Sequence, residues 1–348
     1  MGWAEKLGAT IAALALASCT SESEGPPKGA YTVYVSNEGS GDVSVIDPVS
    51  RSQIAKFAVG KRPRGMALSP DGSLLYVAVS GSPIAGPGVE ESALPPPDKS
   101  ADGIAVVDLR SRRLLRVMPG VSDPEQIAVS PDGNRLYVAS EDTGRLLVMN
   151  AANGRVLANL EVGVEPEGVA VSKLGDFVLA TSEADNQLTI VAARGQPRVI
   201  AKVPVGMRPR HAAFSADELR IFVTGELDSS VTLVELGTRK VTRTIHLPDP
   251  GSKPMSVAVS RAGDYVYVTT GRGGKLARIQ AKKFRYVDAV AVGGRPWGLA
   301  LSPDDRWGFT ANGPSNDVAV IDLATMSVAG KIRAGTKPWG AVMAETRE

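Results

Sequence analysis

Short apolar runs of five or six residues recur along the chain, separated by turns rich in glycine, proline, serine and aspartate. Two examples are LYVAVS, which begins at residue 75, and IAVVD, which begins at residue 104. The runs are rich in β-branched residues and apolar on both faces, as in sheets packed between two other sheets. The pattern therefore predicts short, doubly buried β-strands along most of the chain.

Seven prolines mark a repeat of this pattern. Each follows a glycine by three or four residues and precedes an apolar alternation such as GMALS or GVAVS. The prolines are Pro63, Pro124, Pro166, Pro209, Pro254, Pro296 and Pro338, at spacings of 61, 42, 43, 45, 42 and 42. A period near 42 residues with four short strands per unit predicts an all-β fold, a seven-bladed β-propeller.

The two ends of the repeat region are complementary. Residues 32–59 supply a second, third and fourth strand without a first, and residues 337–344 supply a first strand with nothing after it. We expect them to share one blade, which closes the ring and removes open edges. Residues 31–348 are therefore expected to form a single propeller. Its 81–102 segment is a Pro/Gly-rich loop insertion, either a lid or partner contact or a tolerated addition.

The chain begins with features of an exported lipoprotein. Residues 7–17 form an apolar stretch too short to span a bilayer, and it ends just before Cys19, the one cysteine. We expect residues 1–18 to be a lipoprotein signal peptide, Cys19 to be lipidated, and residues 19–30 to be a flexible tether. This predicts a periplasmic protein anchored to the outer membrane through its lipid alone. A plain signal peptide with a chance cysteine is the alternative.

Composition excludes several classes of function. The formal charge is +2 with no long run of like charges, which argues against a nucleic-acid partner. The chain has two histidines, too few for a zinc or copper centre, and nothing resembles a P-loop or a nucleophile elbow. His246 is expected to be exposed. His211 is expected to face the channel, as a general base or as a bystander.

The residues on either side of each proline vary from repeat to repeat. Because proline fixes φ, we expect both neighbours to be extended and to project together into the channel mouth. The candidate ligand-binding residues are Arg62, Arg64, Arg208, Arg210, His211, Arg295, Trp297, Lys337 and Trp339. The candidate acidic rim consists of Asp123, Glu125, Glu165 and Glu167. No residue is assigned as catalytic or as a metal ligand.

Two interpretations of this mouth remain open. Trp297 and Trp339, with the cations of the sixth, seventh and first repeats, would suit a planar aromatic polyanion such as the tricarboxylate pyrroloquinoline quinone (PQQ). Alternatively, arginine and glutamate rows neutralise each other as rim salt bridges, or form a protein-docking surface. A Ca²⁺ or Mg²⁺ ion is a further option. The carboxylates available to it are Glu125, Glu141, Glu165, Glu167 and Glu183.

Several motifs resemble known propeller repeats. YVSNEGSGDVSVID and LSPDGSLLYVA resemble the YVTN class of repeat. The series RPR, DPEQ, EPE and RPR around the first four prolines, with NGPSNDVAVID at 312–322, is similar to a family of bacterial extracytoplasmic seven-bladed propellers. That resemblance implies an association with PQQ-dependent alcohol catabolism and no particular reaction. The 81–102 insertion and Trp297-Gly298 depart from the family pattern.

The function expected from the sequence is non-catalytic. The favoured interpretation is a monomeric envelope lipoprotein that binds a small anionic aromatic ligand or an envelope protein partner, near a quinone-dependent oxidation system. PQQ and a divalent cation both stay open as cofactors. The alternative is a metal-assisted, lactonase-like hydrolase or lyase acting in the central channel, as the resemblance to other seven-bladed propellers implies.

Overall fold

The computed structural model describes residues 31–84 and 93–345. Within them the chain forms 28 β-strands arranged in seven four-stranded sheets, with short 3-10 helices at Lys99–Ala101 and Glu141–Thr143. The prediction of a seven-bladed β-propeller is confirmed. The predicted signal peptide, Cys19 and the tether lie outside the described residues, as do residues 85–92 of the insertion. None of the helices in the described ranges is long and apolar enough to cross a membrane.

The strands are numbered here in chain order. They are β1 (Tyr31–Asn37), β2 (Asp42–Asp47), β3 (Ser52–Ala58), β4 (Met66–Leu68), β5 (Leu74–Val79), β6 (Gly103–Asp108), β7 (Arg113–Met118), β8 (Pro124–Val129), β9 (Arg135–Ser140), β10 (Arg145–Asn150), β11 (Val156–Glu161), β12 (Pro166–Val171), β13 (Phe177–Ser182), β14 (Gln187–Ala192), β15 (Arg198–Pro204), β16 (Pro209–Phe214), β17 (Arg220–Gly225), β18 (Ser230–Glu235), β19 (Lys240–His246), β20 (Pro254–Val259), β21 (Tyr265–Thr270), β22 (Lys275–Gln280), β23 (Arg285–Ala291), β24 (Pro296–Leu301), β25 (Trp307–Asn312), β26 (Asp317–Asp322), β27 (Ser327–Arg333) and β28 (Pro338–Glu345).

Each blade is a four-stranded antiparallel sheet. Blades 1 to 6 contain β4–β7, β8–β11, β12–β15, β16–β19, β20–β23 and β24–β27 in turn, and blade 7 contains β28, β1, β2 and β3. The first strands of neighbouring blades contact one another all the way around the ring, so they line the central channel. In blade 7, Thr32 pairs with Ala344 and Val33 with Met343, which joins the two ends of the described chain in one sheet.

The core lies between the blades. The second strands are buried on both faces: in β9, Leu136, Tyr137, Val138 and Ala139 are all almost completely inaccessible. This burial explains the continuous apolar runs in the sequence, since each sheet packs against a neighbour on either side. Hydrophobic side chains from adjacent blades therefore form one core cluster after another around the ring.

Buried hydroxyl groups also join the inner strands of adjacent blades. Thr224 Oγ1 accepts the N–H of His211 in its own blade (3.0 Å) and donates to the carbonyl of Met255 in the next blade (2.7 Å). Equivalent pairs of hydrogen bonds are made by Thr181, Thr269 and Ser36. These hydroxyls satisfy backbone groups that the strand ladders leave unpaired near the channel.

We expect Thr224→Val to reduce the free energy of unfolding by about 1–3 kcal/mol, because it strands a buried N–H and a buried C=O with little change in shape. Urea unfolding would measure the loss. The exposed Thr238→Val is the matched control and should unfold like wild type. A Thr224→Val protein as stable as wild type would show that these bonds contribute nothing.

Candidate functional site

The residue before each of the seven prolines adopts a left-handed backbone conformation, with φ between 42° and 54°. These residues are Arg62, Asp123, Glu165, Arg208, Lys253, Arg295 and Lys337. The prediction that they are extended is therefore wrong. In most blades the carbonyl oxygen of this residue accepts the backbone N–H of the residue that follows the second strand. The Arg208 carbonyl accepts the N–H of Glu226 (N to O, 3.1 Å), and the Asp123 carbonyl accepts that of Glu141 (3.1 Å). These hydrogen bonds support a conformation that non-glycine residues rarely adopt.

A β-bulge follows each proline from blade 2 to blade 7. In blade 4, Pro209 pairs with Gly225, but the next pair is Ala212 with Val223, so β16 holds one extra residue. In a regular strand, consecutive side chains point to opposite faces. The bulge cancels that alternation, so that Arg210 and His211 both line the channel.

The channel contains a cavity of about 230 Å³. Its wall combines a charged pair, Glu167 and Arg210, with the indoles of Trp297 and Trp339. The remaining lining is polar or apolar and includes Met66, Gln126, Val169, His211, Met255, Ser256, Val257 and Leu299. A mostly apolar pocket with a few convergent polar groups is the usual form of a small-molecule site.

The two indoles form a fixed aromatic corner. Trp339 meets Trp297 edge to face, with ring centroids 5.5 Å apart and an interplanar angle of 89°. The guanidinium carbons of Arg295 and Arg210 lie 4.9 Å and 5.2 Å from the Trp297 ring centroid. The indole N–H of Trp297 is buried and has no hydrogen-bond partner among the described residues. The ring contacts hold Trp297 in place.

Arg64 does not reach the pocket, which corrects its prediction as a ligand-binding residue. Its side chain is 0% exposed and contacts Asp123 and Glu125, and its Nη1 lies 3.5 Å from Glu141 Oε2. Burial and the charge of Arg62 lower the Arg64 pKa. Burial acts to raise the Asp123 pKa, but the charge of Arg64 outweighs it and the pKa is lowered. The guanidinium neutralises blade 2 carboxylates that would otherwise be buried unpaired.

Arg210 is also paired, although it lines the pocket. Its Nη1 lies 2.5 Å from Glu167 Oε1, its Nε lies 2.7 Å from Glu226 Oε2, and it contacts Glu183. Burial acts to lower the Arg210 pKa, but the three carboxylates outweigh it and raise the pKa. Arg208 joins the same cluster through Glu183. In blades 1 to 4 the arginine and glutamate rows therefore neutralise each other.

The cations of blades 5 to 7 have a different environment. Within the described residues, no carboxylate lies within ion-pair distance of Lys253, Arg295 or Lys337. The position that carries an acid in four other blades is Gly271 in blade 5 and Gly313 in blade 6. Burial and the nearby charge of Arg210 lower the Arg295 pKa. The basic arc was predicted for blades 6, 7 and 1, whereas the unpaired cations of the described residues lie in blades 5, 6 and 7.

Blade 1 is excluded from that arc by a residue that the sequence analysis missed. Arg62 Nε lies 2.7 Å from Glu38 Oε1, so Arg62 is already paired. Glu38 and Glu226 occupy the repeat position of Glu141 and Glu183, as VSNEG and VTGEL align with VASED and ATSEA. The alignment of second strands therefore contained the signal for both residues.

The candidate metal ligands are not brought together as one group. Asp123, Glu125 and Glu141 have ligand atoms within 4.8 Å of one another, but the Arg64 guanidinium lies against all three. Glu165 is exposed on the rim. A buried cation already occupies this cluster, so it does not fit a divalent metal ion, which would meet direct charge repulsion.

The histidines lie where they were expected. His246 is exposed on β19, with Nδ1 3.0 Å from the Asp228 carbonyl oxygen. His211 lines the pocket, and its Nδ1 is buried with no hydrogen-bond partner. Burial lowers the His211 pKa to about 4, against opposing effects from the Val257 backbone and the charge of Glu167. His211 is therefore neutral at pH 7.

The described end of the 81–102 insertion lies on blade 2. Lys99 Nζ is 2.5 Å from Asp142 Oδ2, and Asp102 Oδ2 accepts the backbone N–H of Asp123 (2.9 Å). This end of the loop therefore borders the Arg64 cluster. Whether the insertion acts as a lid stays a prediction.

We expect Arg64→Met to lower the free energy of unfolding by about 3–5 kcal/mol at pH 7, because it leaves the buried carboxylates of Asp123 and Glu125, and the partly buried Glu141, without the Arg64 cation. The loss should shrink at pH 5 as those carboxyls take up protons. Urea unfolding at both pH values tests this, with the exposed Arg113→Met as control. An equal loss at both pH values would contradict the electrostatic explanation.

A second prediction concerns His211. As the pH falls below 6.5 the unfolded chain protonates this residue first, whereas the folded protein does so only near pH 4. Stability is therefore lost across that interval, and wild type should lose more than His211→Gln between pH 7 and pH 4. His246→Gln should follow wild type. Parallel urea midpoints for wild type and His211→Gln would refute the prediction.

Comparisons with known proteins relate the chain to lactonases. The family model described as "Lactonase, 7-bladed beta-propeller" matches residues 190–334, which lie in blades 3 to 6. A curated relative, Antigen Lp49 of Leptospira interrogans, is 26% identical over 207 residues. That match covers 47% of this chain and 45% of the relative, so the chain spans about half the length of that protein.

Solved structures share the fold across nearly the whole chain. The periplasmic gluconolactonase of Pseudomonas aeruginosa aligns with a TM-score of 0.71 and 20% identity, covering 91% of this chain and 99% of that one. A Bacteroides uniformis protein provisionally assigned as a 6-phosphogluconolactonase aligns with a TM-score of 0.74 and 14% identity, covering 91% and 100%. At these identities the likeness establishes the fold alone.

The expected non-catalytic role is wrong. The partial match to the lactonase family model contradicts it and fits the alternative of an enzyme acting in the channel better. The resemblance to a PQQ-associated family is not confirmed beyond the propeller fold itself. The chain is similar to lactonases in fold and over part of its sequence.

Proposed function

We propose that this protein is a hydrolase that opens a lactone ring in the channel pocket, and that its substrate carries an anionic group. The observation that supports this best is the pocket itself. It joins a fixed aromatic corner and a buried carboxylate–guanidinium pair in one cavity of about 230 Å³. Arg295, which forms no ion pair with a carboxylate of the described residues, lies over the Trp297 ring of that corner. That volume suits a small ring rather than a polymer chain.

The basic sector would bind the anionic group. Arg295 lies over the Trp297 ring and Lys337 is exposed at the start of the next blade. Neither is paired with a carboxylate of the described residues. The acidic residues of blades 2 to 4 are held by Arg64 and Arg210 and do not compete for these cations. A phosphate or carboxylate on the substrate would therefore be drawn to blades 5 to 7, with the lactone ring against Trp297.

The pocket wall can also support the chemistry of ester hydrolysis. Attack of water on the lactone carbonyl develops negative charge on the carbonyl oxygen, which preorganised donors stabilise. The Arg210 guanidinium, which lines the cavity against the Trp297 ring, supplies positive charge for this purpose. Glu167 and His211 line the same cavity as candidate proton acceptors. No metal ion is required in this scheme.

The comparisons support the same reaction class. The lactonase family model covers the part of the chain that carries Arg208, Arg210, His211, Arg295 and Trp297. The Pseudomonas aeruginosa likeness is a periplasmic gluconolactonase. A periplasmic, lipid-anchored location for the present protein agrees with the lipobox-like sequence at Cys19, and we include it in the proposal.

The test is an assay of purified protein with 6-phosphogluconolactone, gluconolactone and an aromatic lactone, following proton release and correcting for spontaneous hydrolysis. We expect the anionic lactone to be the best substrate. Arg295→Ala should raise KM for it about tenfold, the loss of one charge-assisted contact, and should change KM for a neutral lactone little. Arg113→Ala on the outer strand β7 is the matched control.

Two outcomes would count against the proposal. Hydrolysis of none of these lactones above the spontaneous rate would refute it. Activity that disappears in a chelator and returns with Ca²⁺ or Mg²⁺ would overturn the metal-free chemistry, because the Arg64 cluster would then have to accommodate a cation. We expect chelator to have no effect.

A further inference from the structure

A second carboxyl group lies directly behind Glu167. Glu167 is on β12 and lines the pocket, whereas Glu183 follows β13 in the same blade and does not. Both reach the same atom of the next blade, Arg210 Nη1. The two carboxyls are thus arranged front and back against one guanidinium nitrogen, and they are close enough to form a hydrogen bond with each other.

The rear carboxyl is more deeply buried than the front one. The Glu183 side chain is 3% exposed and the Glu167 side chain 11%. Glu183 Oε1 contacts Arg210 Nη1 but forms no well-aligned hydrogen bond with any of the described residues. A buried oxygen of this kind is satisfied if the carboxyl is protonated and its O–H donates to the neighbouring carboxylate.

The charges around the pair favour one proton. The facing groups are Arg208 and Arg210 from blade 4, Glu226 after β17, and, farther away, Glu141 and Arg64. Three carboxyls, those of Glu167, Glu183 and Glu226, converge on the single guanidinium of Arg210, while Arg295 also acts on Glu226. A proton on the pair removes the repulsion between Glu167 and Glu183.

The pKa shifts of Glu183 and Glu167 agree with one proton held on the pair. Burial and the charge of Glu167 raise the Glu183 pKa to about 10. Burial acts to raise the Glu167 pKa as well, but Arg210 outweighs it and the pKa is lowered. At neutral pH the proton therefore resides on Glu183, and the carboxylate that faces the pocket is ionised.

We propose that Glu167 and Glu183 hold one proton between them, that Glu167 is the catalytic residue that exchanges protons with the substrate, and that Glu183 is its positioning residue. The catalytic part rests on the lactone hydrolase proposed above, whereas the shared proton does not.

The reaction balances without a co-reactant other than water. The Glu167 carboxylate takes a proton from water as the water oxygen bonds to the lactone carbonyl carbon. The ring C–O bond then breaks, and the departing alkoxide oxygen takes that proton back from Glu167. The product is the open hydroxy acid. The Glu183 O–H stays hydrogen-bonded to Glu167 throughout and keeps its oxygens oriented toward the pocket.

The shared proton can be tested without any substrate. Infrared spectra at about pH 8.5, between the pKa of Glu141 at about 7 and that of Glu183 at about 10, should show the carbonyl stretch of a protonated carboxyl. Glu183→Gln should remove this band, and the exposed Glu161→Gln should keep it. A wild type without the band, or a band that survives in Glu183→Gln, overturns the shared proton.

Activity tests the two roles. Glu167→Gln should lose about 100-fold or more in kcat. Glu183→Gln should retain most of its kcat at neutral pH, because its amide N–H still donates to Glu167, but should lose the alkaline decline that wild type shows near pH 10. Glu183→Ala should lose activity, which the Gln variant rescues. Glu161→Gln should match wild type, and circular dichroism checks that each variant is folded.

The possible failures are distinguishable. If the infrared band behaves as expected but wild type opens no lactone, the proposed function and the catalytic role of Glu167 fail while the shared proton stands. If wild type is active and Glu167→Gln keeps full activity, the catalytic role is overturned although the function stands. If Glu183→Gln retains the alkaline decline of wild type, Glu183 is not the positioning partner.

Discussion

The site depends on one backbone arrangement repeated around the ring: a left-handed residue, a proline and a β-bulge at the start of the inner strand. In a regular strand, only every second side chain would face the channel. The bulge presents two consecutive positions instead, so that Arg210 and His211 enter the same cavity. The buried hydroxyls of Thr181, Thr224 and Thr269 then fix these irregular segments to the next blade. The rigid scaffold is what allows variable side chains to be placed accurately.

The channel mouth is divided into two electrostatic halves. In blades 1 to 4, each arginine is surrounded by carboxylates of its own or a neighbouring blade, and these groups cancel one another. In blades 5 to 7, glycines occupy two of the acid positions, and within the part of the chain that the structure describes Arg295 and Lys337 form no ion pair. A small anionic substrate would therefore meet positive charge on one side only, which orients it before any chemistry begins.

The fold was predictable because it is encoded as repetition. Seven prolines at a near-constant spacing specify seven units, and doubly apolar strands specify packed blades. The site was predictable only in part. The sequence identifies Trp297, Trp339 and Arg295 as channel residues, but it cannot show that Arg64 turns away from the pocket into three carboxylates. Which arginine pairs with which carboxylate depends on how far the side chains extend into the neighbouring blade. A repeat period of 42 residues does not contain that information.

Glu38 and Glu226 show a second limit of prediction from the sequence. Their repeat position was recognisable, since Glu141 and Glu183 occupy it in other blades, yet its importance comes from the left-handed turn that brings it against the proline loop. Preference rules for residues before proline favour extended backbone, and here tertiary hydrogen bonds override them. The carboxyl pair of Glu167 and Glu183 escaped notice for a related reason: the sequence does not distinguish glutamates in rim salt bridges from two carboxyls packed against each other.

The pairing of β28 with β1 has a consequence for how the molecule is made. Of the described strands, β1 to β3 are synthesised earliest, and they cannot complete their sheet until β28 has been synthesised some 300 residues later. Until then the blades on either side of the gap expose apolar faces that later become part of the core. Ring closure is therefore a late, long-range folding step. The species most prone to aggregation during synthesis is an open ring that exposes apolar surface and unpaired strand edges at both ends.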